Sequence, residues 1–367
     1  MEKLPVETLF QIFQLACTDG GYTGCSLSQT SRAVRAASHP SRFHSVALST
    51  GYIRLESFIN LHQKLCLVEN DTRPRVVHLH LHDDEEDREH INQPASPSLR
   101  LAQPLAGGDS LVSRYSQAVR LLHLIAADLV SLVLPSSLMI SSPTGDVQLA
   151  DHPFPSLKAL IVNVPFDVHS SALITAAVSP LFPALTHVHL VMAHRSNVSL
   201  LPFSTWYTHA PQTTHLRISF CPLNARSEMR HLLGTPTYPY RMGRRPPPAR
   251  PPPAMRSWPS VRHVAIQPVP DPDILGLPCG NMGRIYWGLR SELSWMVEWA
   301  NTEAVFESAR VLEPRPSRFC SSPTRISRSS PEWRVDVRAA WERVVTHGVD
   351  SDWLTLGEED EPSDDSE

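Results

Sequence analysis

The chain has 367 residues, 41% of them hydrophobic, enough for one large core or roughly two to three smaller ones. Its net charge of −4 is too nearly balanced to argue that the chain as a whole binds nucleic acid or a membrane surface. Six cysteines (Cys17, Cys25, Cys66, Cys221, Cys279 and Cys320), with no C-x-x-C pair, exclude a disulfide scaffold and read as reduced thiols of an intracellular protein.

The charge balance hides a split. Residues 350–367 carry nine acids and no base, which leaves the remainder near +5. Basic residues are almost all arginine, 30 against the three lysines Lys3, Lys64 and Lys158. A GC-rich coding sequence accounts for that bias; resistance of the chain to modification at lysine is the functional alternative. The N-terminus lacks the basic start and apolar run of a signal peptide. The longest apolar stretch, Leu121 to Leu134, holds His123, Asp128 and Ser131 and is too short and polar to span a bilayer. An intracellular chain, cytoplasmic or nuclear, is therefore expected, and the sequons at Asn70 and Asn197 carry no weight.

In chain order, the first element is a helix. Pro5 suits its first turn, and Leu9, Ile12, Phe13 and Ala16 recur at helical spacing. Asp19-Gly20-Gly21 breaks it. A second helix is expected from Leu27 to Ala37, stopped by Pro40. Two helices this short cannot close a core alone, so they need a partner or the next domain.

The runs Leu4-Pro5-Val6-Glu7-Thr8-Leu9-Phe10-Gln11-Ile12-Phe13, Cys25-Ser26-Leu27-Ser28-Gln29-Thr30-Ser31-Arg32 and Arg42-Phe43-His44-Ser45-Val46 carry a family likeness. Together they make residues 1–50, about one seventh of the chain, resemble the F-box of fungal F-box proteins. The resemblance implies docking onto a Skp-type adaptor and, through it, a cullin of a ubiquitin ligase. It assigns Leu4, Pro5, Leu9, Ile12 and Phe13 to the adaptor contact, with Leu27 and Val34 in support. Read from the helix pattern alone, the segment is equally a helical cap on the domain that follows.

After a helical linker, 51–72, the chain repeats. Leu129-x-x-Leu132-x-Leu134, Leu157-x-x-Leu160-x-Val162, Leu185-x-x-Val188-x-Leu190 and Thr213-x-x-Leu216-x-Ile218 start 28 residues apart. Val76-x-x-Leu79-x-Leu81 precedes them and Val261-x-x-Val264-x-Ile266 follows. The period and spacing fall in the leucine-rich-repeat range: one short parallel strand per unit, with a helical return such as Ser110 to Ala127 or Ser170 to Ser179. An ordinary α/β domain with coincidental spacing is the alternative. The 48-residue interval from Thr213 to Val261 includes the Pro- and Arg-rich insertion 234–257. That insertion reads as a projecting polyproline II loop, a disordered segment or a retained intron.

Beyond Pro270 the pattern turns helical. Tyr286, Leu289, Leu293, Met296 and Ala300 form one stripe, and Trp333, Val337, Trp341 and Val344 form another. Residues 271–349 are expected to cap the last repeat, or to offer a tryptophan-rich recognition surface. The acidic tail 350–367 is expected to be disordered.

The fold class expected is thus α/β. An N-terminal helical F-box (1–50) and the linker lead into an irregular leucine-rich-repeat-like solenoid of short parallel strands plus helices (73–270). A helical C-terminal cap follows.

Strand alternation then selects a candidate surface. If Val188 and Leu190 face the core, His187 and His189 face an open side, and so do His78, His80, His82, His215, Arg217 and His263. His187, His215 and His263 would stack about 5 Å apart across neighbouring strands. Three readings are open for this row. It is a solvated strand face, or a partner-binding surface of His187, His189, His215, Arg217 and His263 whose charge rises below about pH 6.5, or a zinc site. Zinc is also considered at Cys17, Cys25, His39 and His44, and phosphate at Arg217, Arg226 and Arg230.

No phosphate-binding glycine loop, H-E-x-x-H or G-x-S-x-G run is present. The functional expectation is a non-catalytic substrate receptor with no cofactor and no metal, binding the adaptor and an unknown protein substrate, with no nucleic acid and no membrane. The alternatives are an adaptor-independent interaction scaffold and, remotely, a metal-dependent enzyme on the histidine face.

Overall fold

The computed structural model describes residues 4–68, 73–83, 107–135, 138, 152–164, 179–192, 203–221, 225–235, 258–268, 280–312 and 332–349. The helix expected at Ser170 to Ser179, the insertion 234–257 and the acidic tail lie wholly or almost wholly outside the described residues. Among these residues no helix is long and apolar enough to cross a membrane.

One all-parallel sheet of eight strands runs in sequence order. The strands are β1 (Ser45–Ser49), β2 (His78–His82), β3 (Ser131–Leu134), β4 (Ala159–Val164), β5 (His187–Met192), β6 (His215–Cys221), β7 (His263–Pro268) and β8 (Ser308–Val311). Three helices precede β1: α1 (Val6–Ala16), α2 (Tyr22–Thr30) and α3 (Arg32–Ser38). The others are α4 (Tyr52–Val68), α5 (Gly107–Ile125), α6 (Phe203–His209), α7 (Arg226–Leu233), α8 (Gly280–Thr302) and α9 (Glu332–His347).

The repeat spacing has a physical counterpart. The first and fourth residues of every predicted unit are buried, from Val76 and Leu79 to Val261 and Val264. Two further units that the spacing did not single out obey the same rule: Phe43-x-x-Val46 leads into β1, and Phe306-x-x-Ala309 into β8. Backbone bonding repeats as well. The carbonyl of His44 accepts from the N–H groups of Val77 and His78, at 3.1 and 3.0 Å. In the same way Val77 serves Val130 and Ser131, Thr186 serves Thr214 and His215, Thr214 serves Arg262 and His263, and Arg262 serves Glu307 and Ser308.

The chain divides into two compact units. One comprises Met1–Leu134, Ser156–Leu160 and Pro331–Glu367; the other comprises Pro135–Pro155 and Ile161–Ser330. The N-terminal helices therefore share a unit with the first strands, and the C-terminal region is divided, with α9 in the first unit and α8 in the second.

In the first unit the helix expected from Leu27 to Ala37 is two helices. Ser31, between α2 and α3, is extended (φ −159°, ψ 166°), and its hydroxyl accepts the N–H of Val34 at 3.1 Å. Serine competes for backbone partners inside a helix and caps one well, which explains the break. The side of β2 and β3 expected to be open is covered by α9, whose Trp341 lies 5.3 Å from His80 between ring centroids. Both strand faces are accordingly buried in β2 and β3, as is usual for parallel sheets.

In the second unit β5 is buried at every position. Strand β6 has a bulge where Ile218 pairs with Ile266 and Cys221 with Pro268, and Phe220 takes a positive φ of 58° there. Of the stripe predicted along α8, Leu289, Leu293, Met296 and Ala300 are all buried, and the Tyr286 side chain lies outside what the structure describes.

Candidate functional site

The first candidate surface is α1 with its approach. Phe13 and, just beyond the helix, Cys17 are buried one turn apart, and Leu9, one turn before Phe13, is half-buried. The other side of the helix leaves Ile12 45% and Leu15 75% exposed. Leu4 and Pro5 are exposed at its start, and Tyr22, at the start of α2, is 70% exposed. Of the seven residues expected on this surface, Leu4, Pro5 and Ile12 lie on it, Leu9, Leu27 and Val34 are half-buried, and Phe13 faces the chain's own core. Leu15 and Tyr22 are the additions. Leu15 is the i+3 neighbour of Ile12 and shares its side, opposite the stripe that runs through Phe13.

The glycine-rich turn between α1 and α2 fastens this surface to the sheet. The Asp19 carboxylate accepts the Thr23 N–H at 2.9 Å and the Thr23 hydroxyl at 2.6 Å. Ala47 N–H of β1 donates to Gly20 O at 3.1 Å. The Ser45 hydroxyl donates to Cys17 O at 2.9 Å and accepts from Gly20 N–H at 3.0 Å. Gly24 lies so close to the chain before β1 that an added Cβ would stand 2.2 Å from Arg42 O.

The second candidate is the histidine row, and two of its groups lie in the second unit. His187, His215 and His263 occupy the first position of β5, β6 and β7 and are in register. Their rings stack, His187 on His215 at 4.1 Å and His215 on His263 at 4.4 Å. Each Nδ1 has a hydroxyl partner: Thr186 at 2.8 Å, Thr214 at 2.9 Å and Ser308 at 2.9 Å. Nε2 of His263 lies 3.3 Å from Glu307. Two positions further on, His189 Nε2 and Ser219 Oγ are 2.8 Å apart, and Arg217 Nε donates to that hydroxyl at 3.4 Å.

The expectation of an open face is overturned for His187, His189 and Arg217. His187, His189 and Arg217 are buried, while His215 and His263 are half-buried. Alternation along a strand says which residues share a side, not whether that side is covered. The expected gain of charge near pH 6.5 fails with it at His187 and His189. Burial, reinforced by the neighbouring His215 and His263, pushes His187 down to about 3. Burial holds His189 well below its ordinary range, with Arg217 adding to the effect. In the first unit the same cause takes His78, next to His44, and His80, near His82 and Arg338, to about 3. These imidazoles are neutral packing groups at physiological pH.

Face-to-face rings direct their nitrogens side by side rather than toward one point, and no group of three or more His, Cys, Asp or Glu able to hold a metal occurs among the described residues. Burial pushes the Cys17 thiol up to about 11, with Asp19 and Cys25 adding to it, so it is a poor thiolate ligand. The arginines considered for phosphate are engaged. Arg226 (3.2 Å) and Arg230 both pair with Glu292, tying α7 to α8, and Arg217 is buried at the Ser219 hydroxyl. No family model matches the chain, and no curated protein or solved structure matches it significantly.

Proposed function

We propose that the chain is a substrate receptor of a Skp–cullin–F-box ubiquitin ligase, docking the adaptor through α1 and holding a protein substrate on the repeat region. The observation that carries this reading is the two-sided character of α1. One side supplies Phe13 to the core, while Leu4, Ile12 and Leu15 stay in water on the other. A short helix that leaves large apolar groups exposed on one side is suited to a partner's apolar surface.

The in-order parallel sheet, with one apolar spacing repeated from β1 to β8, supports a leucine-rich-repeat-like solenoid as the finer description of the fold. The receptor would carry out no chemistry; it would raise the substrate's local concentration near the ligase, without cofactor or metal. The buried His187, His189 and Arg217 then belong to the solenoid core, and substrate contact falls to residues with exposed side chains.

A second reading, an interaction scaffold without an adaptor, is favoured by one fact. Phe13, expected to bury against the adaptor, is 3% exposed in the chain alone and so is already committed. Co-expression with a Skp-type adaptor separates the two readings. Co-purification that is lost on Ile12→Asp with Leu15→Asp supports the receptor. A folded wild-type chain that never retains the adaptor supports the scaffold. Deleting residues 1–50 is a poorer test, because it removes β1 from the sheet.

A further inference from the structure

Among the described residues β8 is the last strand of the sheet. Ser308 and Leu312 donate inward, to Arg262 O at 3.2 Å and Ile266 O at 2.8 Å. Ala309 turns its backbone the other way, to the side where a ninth strand would add. The side-chain amide of Asn301 meets it there. Nδ2 donates to Ala309 O at 2.8 Å, and Ala309 N–H donates to Oδ1 at 2.9 Å. One residue of an antiparallel neighbour would exchange the same two bonds.

The approach to this contact is built into the local fold. Helix α8 ends in a left-handed turn at Ala304 (φ 49°), closed by Val305 N–H to Ala300 O at 2.9 Å. That turn reverses the chain, buries Phe306 and lays β8 beside the last turn of α8, which carries Asn301. The first strand has a comparable cover, with the outward N–H of Ala47 in β1 held by Gly20 O. An uncovered edge peptide is a template for pairing with another chain.

We propose that Asn301 guards the edge of β8, occupying the outward-facing N–H and C=O of Ala309 so that a second copy of this chain does not add to the sheet there. Asn301 is exposed, so replacing its side chain frees the backbone groups it covers without changing them.

The test is sedimentation velocity of the full chain over a concentration series, comparing wild type, Asn301→Ala and Asn301→Asp. The alanine variant lacks both bonds, and its sedimentation coefficient should rise with concentration while that of wild type stays constant. The aspartate variant retains an acceptor for Ala309 N–H and sets a negative charge on the edge. It should melt earlier than wild type, like the alanine variant, and yet not associate. Three results overturn the proposal: a folded Asn301→Ala chain with no concentration dependence, equal association in both variants, or wild type and Asn301→Ala associating alike. Hydrogen exchange on the wild-type chain adds a measurement independent of any variant. The Ala309 amide should exchange as slowly as those of Ser308 and Leu312, and exchange at the rate of an unprotected amide contradicts the guard.

Discussion

The imidazole of His187 lies on that of His215 with 4.1 Å between ring centroids and 9° between their planes. His263 continues the stack on the next strand. Rings this close cannot all carry charge, and burial already favours the neutral form of His187.

Acid should therefore unfold the protein. His78, His80 and His187 each have a folded pKa near 3 against an ordinary value of 6.5. The folded pKa is the lower one, so their contribution is complete above pH 6.5 and is lost as pH falls toward 3. Each histidine then gives up about 1.4 kcal/mol per pH unit inside that window. Chemical denaturation at pH 7 and pH 5 should differ by several kcal/mol, with protons taken up on unfolding. A flat stability profile over that range contradicts the neutral state of these three buried rings.

Gly24→Ala should destabilise the first unit by about 2–3 kcal/mol, because the new Cβ meets Arg42 backbone that cannot swing away. The midpoint of denaturant unfolding measures it. An unchanged midpoint means that α2 does not press on the chain before β1.

Trp341→Ala should cost about 3–5 kcal/mol, the usual loss for a large buried aromatic. The same change uncovers His80, so its ring should titrate closer to 6.5 by NMR. Loss of stability with no movement of His80 contradicts the cover that α9 gives to β2.

Ala304→Gly should stabilise by about 0.5–1 kcal/mol, since glycine takes the left-handed turn at the end of α8 without the Cβ penalty. Thermal unfolding reads this directly, and a lower melting temperature contradicts it.

The sequence made the repeated strands legible because each carries its core residues at fixed offsets. It did not make β1 and β8 legible. Their units open with Phe43 and Phe306, which lie 33 and 45 residues from the nearest unit rather than 28, and the inward row contains Ala309. The break at Ser31 was hidden because capping needs only one hydroxyl inside an otherwise helical run. The histidine register follows from the repeat spacing, whereas the burial of His80, His187 and His189 does not. What covers His80 is Trp341, from a helix some 260 residues later, and no local pattern announces that. On α1, Leu9, Ile12 and Phe13 fit one stripe, yet the helix is apolar on two sides and the structure divides them, Phe13 inward and Ile12 outward.

The most direct test of the receptor reading is the affinity of the purified full chain for a purified Skp-type adaptor, measured by titration calorimetry for wild type and for Ile12→Asp with Leu15→Asp. Both positions are exposed, so the double variant should fold like wild type. A receptor binds the adaptor saturably and one-to-one as wild type and loses at least tenfold, or about 1.4 kcal/mol, in the variant. Equal binding by both proteins, or no binding by a folded wild-type chain, contradicts it.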